Sequence, residues 1–90
     1  MFYEAAGNRH GLAHDPFKAI VSPRPIGWIS TRSKEGAVNL APYSFFNAIS
    51  TDPMLVMFSS SSVKDSAAFA IESGEFVANF VSRDLAAAMN

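Results

Sequence analysis

Asn39-Leu40-Ala41-Pro42-Tyr43-Ser44-Phe45-Phe46-Asn47 decides how this chain is interpreted, because it combines amide, hydroxyl and aromatic groups in a pattern typical of neither a helix nor a plain strand. Core packing alone does not require that mixture. A flat ligand with a polar rim and an anionic tail does, since it needs hydrogen-bonding partners, an apolar surface and donors for its phosphate. The alternative is an aromatic-rich strand that enters a turn, with Pro42 interrupting the ladder and Asn47 closing it.

The size and composition favour one small domain. A chain of 90 residues buries only about two thirds of its unfolded surface. Its residues are 49% hydrophobic and include 8 Phe, so part of this apolar surface is expected to face a ligand or a partner. The absence of cysteine excludes a disulfide framework and a thiolate metal site, and is typical of a reducing compartment. A cytoplasmic location is the default expectation.

The charge pattern favours neither nucleic acid nor a membrane as a partner. The formal net charge is −1, and the basic and acidic residues are scattered along the chain. Residues 1–4 lack the basic and apolar regions of a signal peptide, and no apolar run approaches the ~20 residues that span a bilayer. We therefore expect a soluble protein.

The spacing of apolar residues predicts a mostly β fold with about five strands and one to two helices. Residues 1–15 are expected to form an irregular arm, and residues 16–90 the domain. Gly27, within a strand over 26–31, suggests a close backbone approach or a bend. The continuous apolar run 54–59 is the best candidate for a strand buried on both faces. The predicted strands cover 17–22, 26–31, 38–40, 54–59 and 75–82, with turns at 33–36 and 50–53.

Two helices are expected after the fourth strand. The first has Ser62 as its N-cap and Asp65 in its first turn, and it ends at Gly74. The second begins at Asp84, and the chain ends inside it. Because a domain normally finishes after an element that closes its core, we expect this chain to be part of a larger barrel.

Serine residues after the run 54–58 are candidates for a phosphate site. Ser59, Ser60, Ser61 and Ser62 lie between a strand and a helix start, where hydroxyls and free N–H groups meet a favourable helix dipole. Lys64 can add a cationic contact. The alternative is a flexible serine loop whose last member caps the helix, together with a solvated lysine.

Arg24 is a further candidate, because two prolines restrict its backbone and so hold its guanidinium in place for an anion. A surface arginine in a proline turn is the alternative. His10 and His14 have no neighbouring acids or cysteines that would make a metal or acid–base site, so we expect neither metal binding nor catalysis from them. No G-x-S-x-G elbow or paired carboxylates support hydrolysis, so any catalysis is expected to depend on a cofactor.

Five blocks of sequence occur in order along the chain: 23–31, 39–47, 52–53, 64–65 and 74–79. Taken together, they resemble the flavin reductase-like, FMN-binding split β-barrel family, and they cover most of the chain from about His14 onward. One block alone would be weak support. The related split barrels of the pyridoxamine-phosphate oxidase type also bind FMN, but the residue sequence of 39–44 argues against them.

The resemblance implies a six-stranded Greek-key split barrel, present here in part, that binds FMN without a covalent bond and works as a homodimer. Reductases of this family take hydride from NADH or NADPH onto the flavin. By the same resemblance, the ring and ribityl chain are expected to lie along Asn39, Ala41, Pro42, Tyr43, Ser44 and Phe46. The expected phosphate contacts are Ser59, Ser60, Ser61 and Lys64, with Arg24 as a further one.

The chain matches only the N-terminal half of the family domain, which leaves several functions open. The first is an NAD(P)H-dependent flavin reductase, provided that the full domain is present. A second is an FMN-binding module without turnover. A third is a non-catalytic fragment that binds nothing. No catalytic side chain and no metal ligand is predicted in any of these cases.

Overall fold

The computed structural model describes residues 2–60 and 65–89, which form a mostly β fold. Five strands and three short α-helices are present in this part of the chain, and they divide between a three-stranded and a two-stranded antiparallel sheet. The five predicted strands are therefore matched in number, although one of them is replaced by a helix and the segment that follows Ser44 supplies an additional strand.

The three-stranded sheet has the order β2-β1-β5. Strand β1 is Gly27–Arg32, β2 is Val38–Tyr43 and β5 is Val77–Asn79. The turn between β1 and β2 is closed by the N–H of Ser33, which donates to the carbonyl of Ala37 at 2.8 Å. Strands β1 and β2 pair with Gly27 opposite Tyr43 and Arg32 opposite Val38, which confirms the turn predicted at 33–36 between the strands predicted over 26–31 and 38–40.

Alternation along β1 separates a buried face from a more open one. Gly27, Ile29 and Thr31 are buried, whereas Trp28 and Ser30 are half-buried. Ile29 is the one fully buried apolar side chain among the described residues. This alternation fits the strand predicted over 26–31, because successive side chains of a strand point to opposite faces.

Helix α2, Asp65–Ser73, packs against the buried face of β1 and β2. Ser66 in its first turn is 1% exposed. The helix ends before Gly74, whose φ of +76° lies in the left-handed region that glycine tolerates, so the predicted end is confirmed. The predicted cap, Ser62, lies outside the described residues.

Strands β3, Phe46–Thr51, and β4, Met54–Phe58, form the second sheet. The turn predicted over 50–53 is confined to 52–53, because Ser50 and Thr51 belong to β3. The register shifts between Ala48 and Ser50. This irregularity is typical of a β-bulge, in which one extra residue lies on one strand.

Aromatic contacts connect the two sheets. The Phe58 ring lies 5.0 Å from that of Tyr43 and 4.9 Å from that of Phe76, measured between ring centroids. Phe46 packs directly on the backbone of Gly27, where an added Cβ would lie 2.6 Å from two ring carbons of Phe46. The close approach predicted at Gly27 is therefore present, and its partner is Phe46.

The predicted strand over 17–22 is wrong, because Phe17–Ile20 forms the short helix α1. The carboxylate of Asp15 accepts a hydrogen bond from the Phe17 N–H at 3.0 Å, and the Arg24 guanidinium donates to two carbonyls at the other end of the helix. Backbone groups at both ends are thus satisfied by side chains, which stabilises a helix too short to be stable alone.

The predicted burial of strand 54–59 is also wrong. Met54 is 89% exposed, and Leu55, Val56 and Met57 are exposed as well. Within the described residues β3 is the one strand paired with β4, and only the end at Phe58 lies against aromatic side chains of the other sheet. A continuous apolar run predicts the length of the strand correctly, but it does not indicate which other elements would cover the strand.

In the C-terminal part, the predicted strand and the predicted helix are both present, but their lengths differ from the prediction. The strand predicted over 75–82 shortens to β5, and Phe80 is fully exposed. Asp84 lies in a 3-10 turn, Arg83–Leu85, which leads into helix α3, Ala86–Met89. The predicted helix start near Asp84 is therefore confirmed, with the first turn tighter than an α-helix.

Replacement of Gly27 by alanine tests the contact between the sheets. The added Cβ would meet the Phe46 ring at 2.6 Å, so we expect the free energy of unfolding to fall by about 1–3 kcal/mol, as is typical of overpacking. Urea denaturation measures this change. Gly7→Ala is the control, because the neighbouring atoms there belong to the flexible side chain of Arg9. An unchanged urea midpoint for Gly27→Ala would show that the contact does not constrain the fold.

Candidate functional site

The candidate site is built around the corner at Ser44 and Phe45, where the chain leaves β2 and enters β3. The carbonyl of Phe45 accepts a hydrogen bond from the N–H of Ser59 at 2.8 Å. This bond holds the residue after β4 against the corner, although Ser44 and Ser59 are far apart in sequence. The structure therefore brings together two of the serines that were predicted separately.

Two cationic side chains flank the Phe45 ring. The Arg24 Cζ lies 5.6 Å and the Lys18 Nζ 5.9 Å from the ring centroid, within the range of cation–π attraction. Arg24 Nη1 donates to the carbonyls of Lys18 at 2.5 Å and of Val21 at 2.8 Å. Its Nε is buried and has no hydrogen-bond partner within the described part of the chain.

Two open clefts border the Ser44–Phe45 corner. The smaller, of about 270 Å³, has hydroxyl, ammonium and aromatic groups in its wall; it is lined by Lys18, Pro42, Tyr43, Ser44, Phe45, Ser59 and Ser60. The larger, of about 340 Å³, is mainly apolar and includes Arg24, Phe46 and Met57. The two clefts share Ser44, Phe45 and Ser59. We call them the hydroxyl cleft and the apolar cleft.

A third cleft, of about 370 Å³, lies on the opposite face of β2 and is lined by Asn39, Ala41, Tyr43, Asp65 and Ser66. The Asn39 amide donates to the Ser66 hydroxyl at 2.5 Å, so this nitrogen is already engaged with α2. The carboxylate of Asp65 makes this third cleft the less favourable place for a phosphate.

The residues predicted for the ring and ribityl chain are thus divided between two faces of β2. Alternation puts Asn39 and Ala41 on the face under α2, and Pro42 in the hydroxyl cleft. Tyr43 lines both. Phe46 contributes to the apolar cleft while it packs on Gly27. Ser61 and Lys64 lie outside the described residues.

Lys18 is a cleft residue that the sequence analysis missed. It was taken as part of a strand, whereas the apolar residues Phe17, Ile20 and Val21 have the spacing i, i+3, i+4 of a helix face. An Asp-Pro pair before that spacing is a typical helix start. If these signals had been interpreted as a helix, Lys18 would have been a candidate for the site. The Arg24 side chain binds the end of this helix to the proline turn, which is itself part of the site.

Neither a metal cluster nor a membrane-spanning helix is found in the part of the chain that the structure describes. No group of three or more His, Asp or Glu side chains is close enough there to hold a metal ion. His10 instead packs edge-on against Tyr3, with ring centroids 5.5 Å apart, and its Nδ1 accepts from the Leu12 N–H.

The fold and the Ser44–Phe45 corner define a mostly β protein with a site suited to a ligand that carries an anionic group and a flat apolar part. A family model described as "Flavin reductase like domain" matches residues 21–90. The chain therefore belongs to the flavin reductase-like family, and membership indicates a function that involves flavin. The resemblance seen in the sequence is confirmed.

The chain is also similar to solved and curated proteins. The chain is 31% identical to nitrilotriacetate monooxygenase component B from Bacillus cereus, with a TM-score of 0.77, and the match covers 100% of this chain and 47% of that one. It is 44% identical over 71 residues to an uncharacterised protein of Aquifex aeolicus, covering 73% of this chain and 36% of the relative.

It is also 46% identical over 72 residues to the uncharacterised protein YwrF of Bacillus subtilis, covering 72% of this chain and 35% of the relative. The matched part thus spans little more than a third of the curated relatives.

The hydrogen bond between Asn39 and Ser66 can be tested by a double-mutant cycle. Ser66 is buried, so either Asn39→Ala or Ser66→Ala leaves a partner unsatisfied and should lower the free energy of unfolding by about 1–3 kcal/mol. The double variant should lose less than the sum, with a coupling energy of about 0.5–1.5 kcal/mol, measured by urea denaturation. Additive losses would mean that the two side chains do not interact.

The N-terminal cap of α1 predicts a pH effect. The Phe17 N–H, followed by a smaller contribution from Asn8, lowers the pKa of Asp15 below its ordinary value of 3.8. A carboxylate with a lowered folded-state pKa stabilises the fold above pH 3.8, and this contribution is lost as the pH falls through the folded-state value. An NMR titration should find the pKa of Asp15 below 3.8, with the Phe17 amide shift following it; a value at or above 3.8 would contradict the cap.

Proposed function

We propose that this chain forms the FMN-binding part of an oxidoreductase of the flavin reductase type. The observation that carries this function is the convergence of Ser44 and Ser59 with the cations Lys18 and Arg24 around Phe45. Membership of the flavin reductase-like family supports flavin as the ligand. FMN is favoured because it joins a flat ring system to a phosphate monoester.

The hydroxyl cleft suits the phosphate. Ser44, Ser59 and Ser60 supply hydroxyl groups, and Lys18 supplies an ammonium group. Among the residues that the structure describes, no carboxylate lines this cleft. Charge-assisted hydrogen bonds to phosphate oxygens are roughly twice as strong as bonds between neutral groups. Arg24 adds positive charge from the other side of Phe45. We assign the phosphate to this cleft, with Ser61 and Lys64 as further candidates.

The edge of β2 suits the polar rim of the flavin. Within the described residues β2 pairs only with β1, so the backbone groups on its outer side have no partner strand. Such groups can donate to and accept from a heterocycle, as in other cases of edge recognition. Pro42, Tyr43 and Phe46 add apolar surface, while Asn39 and Ala41 border the other side of the strand.

The flavin and the side chains of this chain would have different roles in the reaction. Flavin, when bound, supplies the hydride chemistry that amino acid side chains lack. The residues of this chain bind and orient the cofactor and exclude water from part of its surface. We extend the same function to NADH or NADPH as the hydride donor and to a homodimer, both of which follow from the family resemblance. A cytoplasmic location is part of the proposal because the chain has no cysteine. Exposed apolar residues such as Leu55 and Val56 are consistent with a further protein surface against β4.

An FMN-binding module without turnover is the second candidate. Every group that converges at the corner is suited to binding, and the chain spans 47% of the similar monooxygenase component and 36% of a curated relative. Groups that hold a nicotinamide would then come from elsewhere in a longer protein.

Flavin titration followed by reduction separates the two candidates. We expect FMN fluorescence to change saturably when the protein is added, and NADH or NADPH to bleach bound FMN faster than free FMN. Binding without acceleration by either nucleotide would support the binding module and contradict the reductase. No saturable change in FMN fluorescence would contradict both candidates. Apoprotein prepared without flavin is the starting material, so that the titration begins with unoccupied sites.

A further inference from the structure

Helix α1 is fixed beside the candidate site, although it precedes the segment that the family model matches. The match begins at residue 21, whereas Lys18 lies in Phe17–Ile20. The Arg24 guanidinium donates to the carbonyls of Lys18 and Val21, which ties the helix to the proline turn within the matched segment. The Ser22 hydroxyl adds a hydrogen bond to the carbonyl of Ala19 at 2.7 Å.

The Lys18 ammonium group is directed to the corner by this attachment. Its Nζ lies 5.9 Å from the centroid of Phe45, and its side chain helps to line the hydroxyl cleft with Ser44 and Ser59. Among the described residues no salt bridge engages it. The Lys18 charge interacts electrostatically with the carboxylate of Asp15. The oxygens of Asp15, however, already accept hydrogen bonds from the Phe17 N–H and the Asn8 side chain.

We infer that Lys18 is a specificity-determining residue of this chain that selects a phosphorylated flavin over the unphosphorylated one. This role rests on the proposed function, because it requires that flavin binds at the Ser44–Phe45 corner. An ammonium group in the hydroxyl cleft attracts a phosphate monoester, which carries close to two negative charges at neutral pH. The ammonium group has no comparable partner in riboflavin, because the ribityl chain of riboflavin ends in a neutral hydroxyl group.

The test compares the affinities for FMN and riboflavin in the purified chain, by fluorescence titration, for the wild type and Lys18→Gln. We expect the substitution to weaken FMN binding about threefold to tenfold while riboflavin binding stays unchanged, since the lost contact is a partly exposed charge interaction. Added salt should weaken FMN binding less in Lys18→Gln than in the wild type, because part of the screened attraction is already gone.

Two control variants isolate the role of the charge. Lys34→Gln removes the same charge from the β1–β2 turn, outside the lining of the hydroxyl cleft, and should leave the preference for FMN unchanged. Lys18→Arg keeps the charge and should retain most of the preference. Circular dichroism of each variant checks that the fold is intact.

The results that would contradict the role of Lys18 differ from the result that would contradict the proposed function. An unchanged FMN preference in Lys18→Gln, an equal loss for FMN and riboflavin, or the same loss in Lys34→Gln would each overturn the role of Lys18 while flavin binding stands. A wild-type chain that binds neither flavin would instead overturn the proposed function, and the role of Lys18 with it.

Discussion

The contact between Gly27 and Phe46 is the constraint on which the arrangement of the two sheets depends. Because Gly27 has no side chain, the Phe46 ring can lie against the backbone of β1. After the bend at Ser44 and Phe45, β3 belongs to the second sheet and does not extend β2. The corner made in this way is the place where the N–H of Ser59 reaches the Phe45 carbonyl and where the two clefts meet.

Much of this fold follows from local patterns. The two-residue period places Gly27 and Ile29 on the buried face of β1, and the turn at 33–36 gives the hairpin of β1 and β2. The turn signal within 50–53 marks the connection that precedes β4. Gly74 ends α2 because it adopts a positive φ. These features could be predicted, since each depends on the conformational preferences of a few neighbouring residues.

Features that depend on distant partners could not be predicted from local patterns. The run Met54–Phe58 has the composition of a core strand, yet burial requires elements on both faces, and most of β4 is exposed in the described part of the chain. Helix α1 was missed for a different reason, because the helical spacing of Phe17, Ile20 and Val21 was interpreted as a strand. Arg24 adds hydrogen bonds to the carbonyls of Lys18 and Val21 at the end of this helix. Lys18 was missed together with that helix, whereas Ser44 and Ser59 were candidates because of their residue types and their places in the sequence.

The central claim, that the Ser44–Phe45 corner holds the phosphate end of FMN, is tested most directly by amide chemical-shift mapping of the labelled chain with FMN. The account predicts that the largest shifts occur at Lys18, Ser44, Phe45 and Ser59, and that riboflavin perturbs these amides less. Shifts centred instead on the separate cleft formed by Ser30, Arg32, Glu75 and Val77 would contradict it.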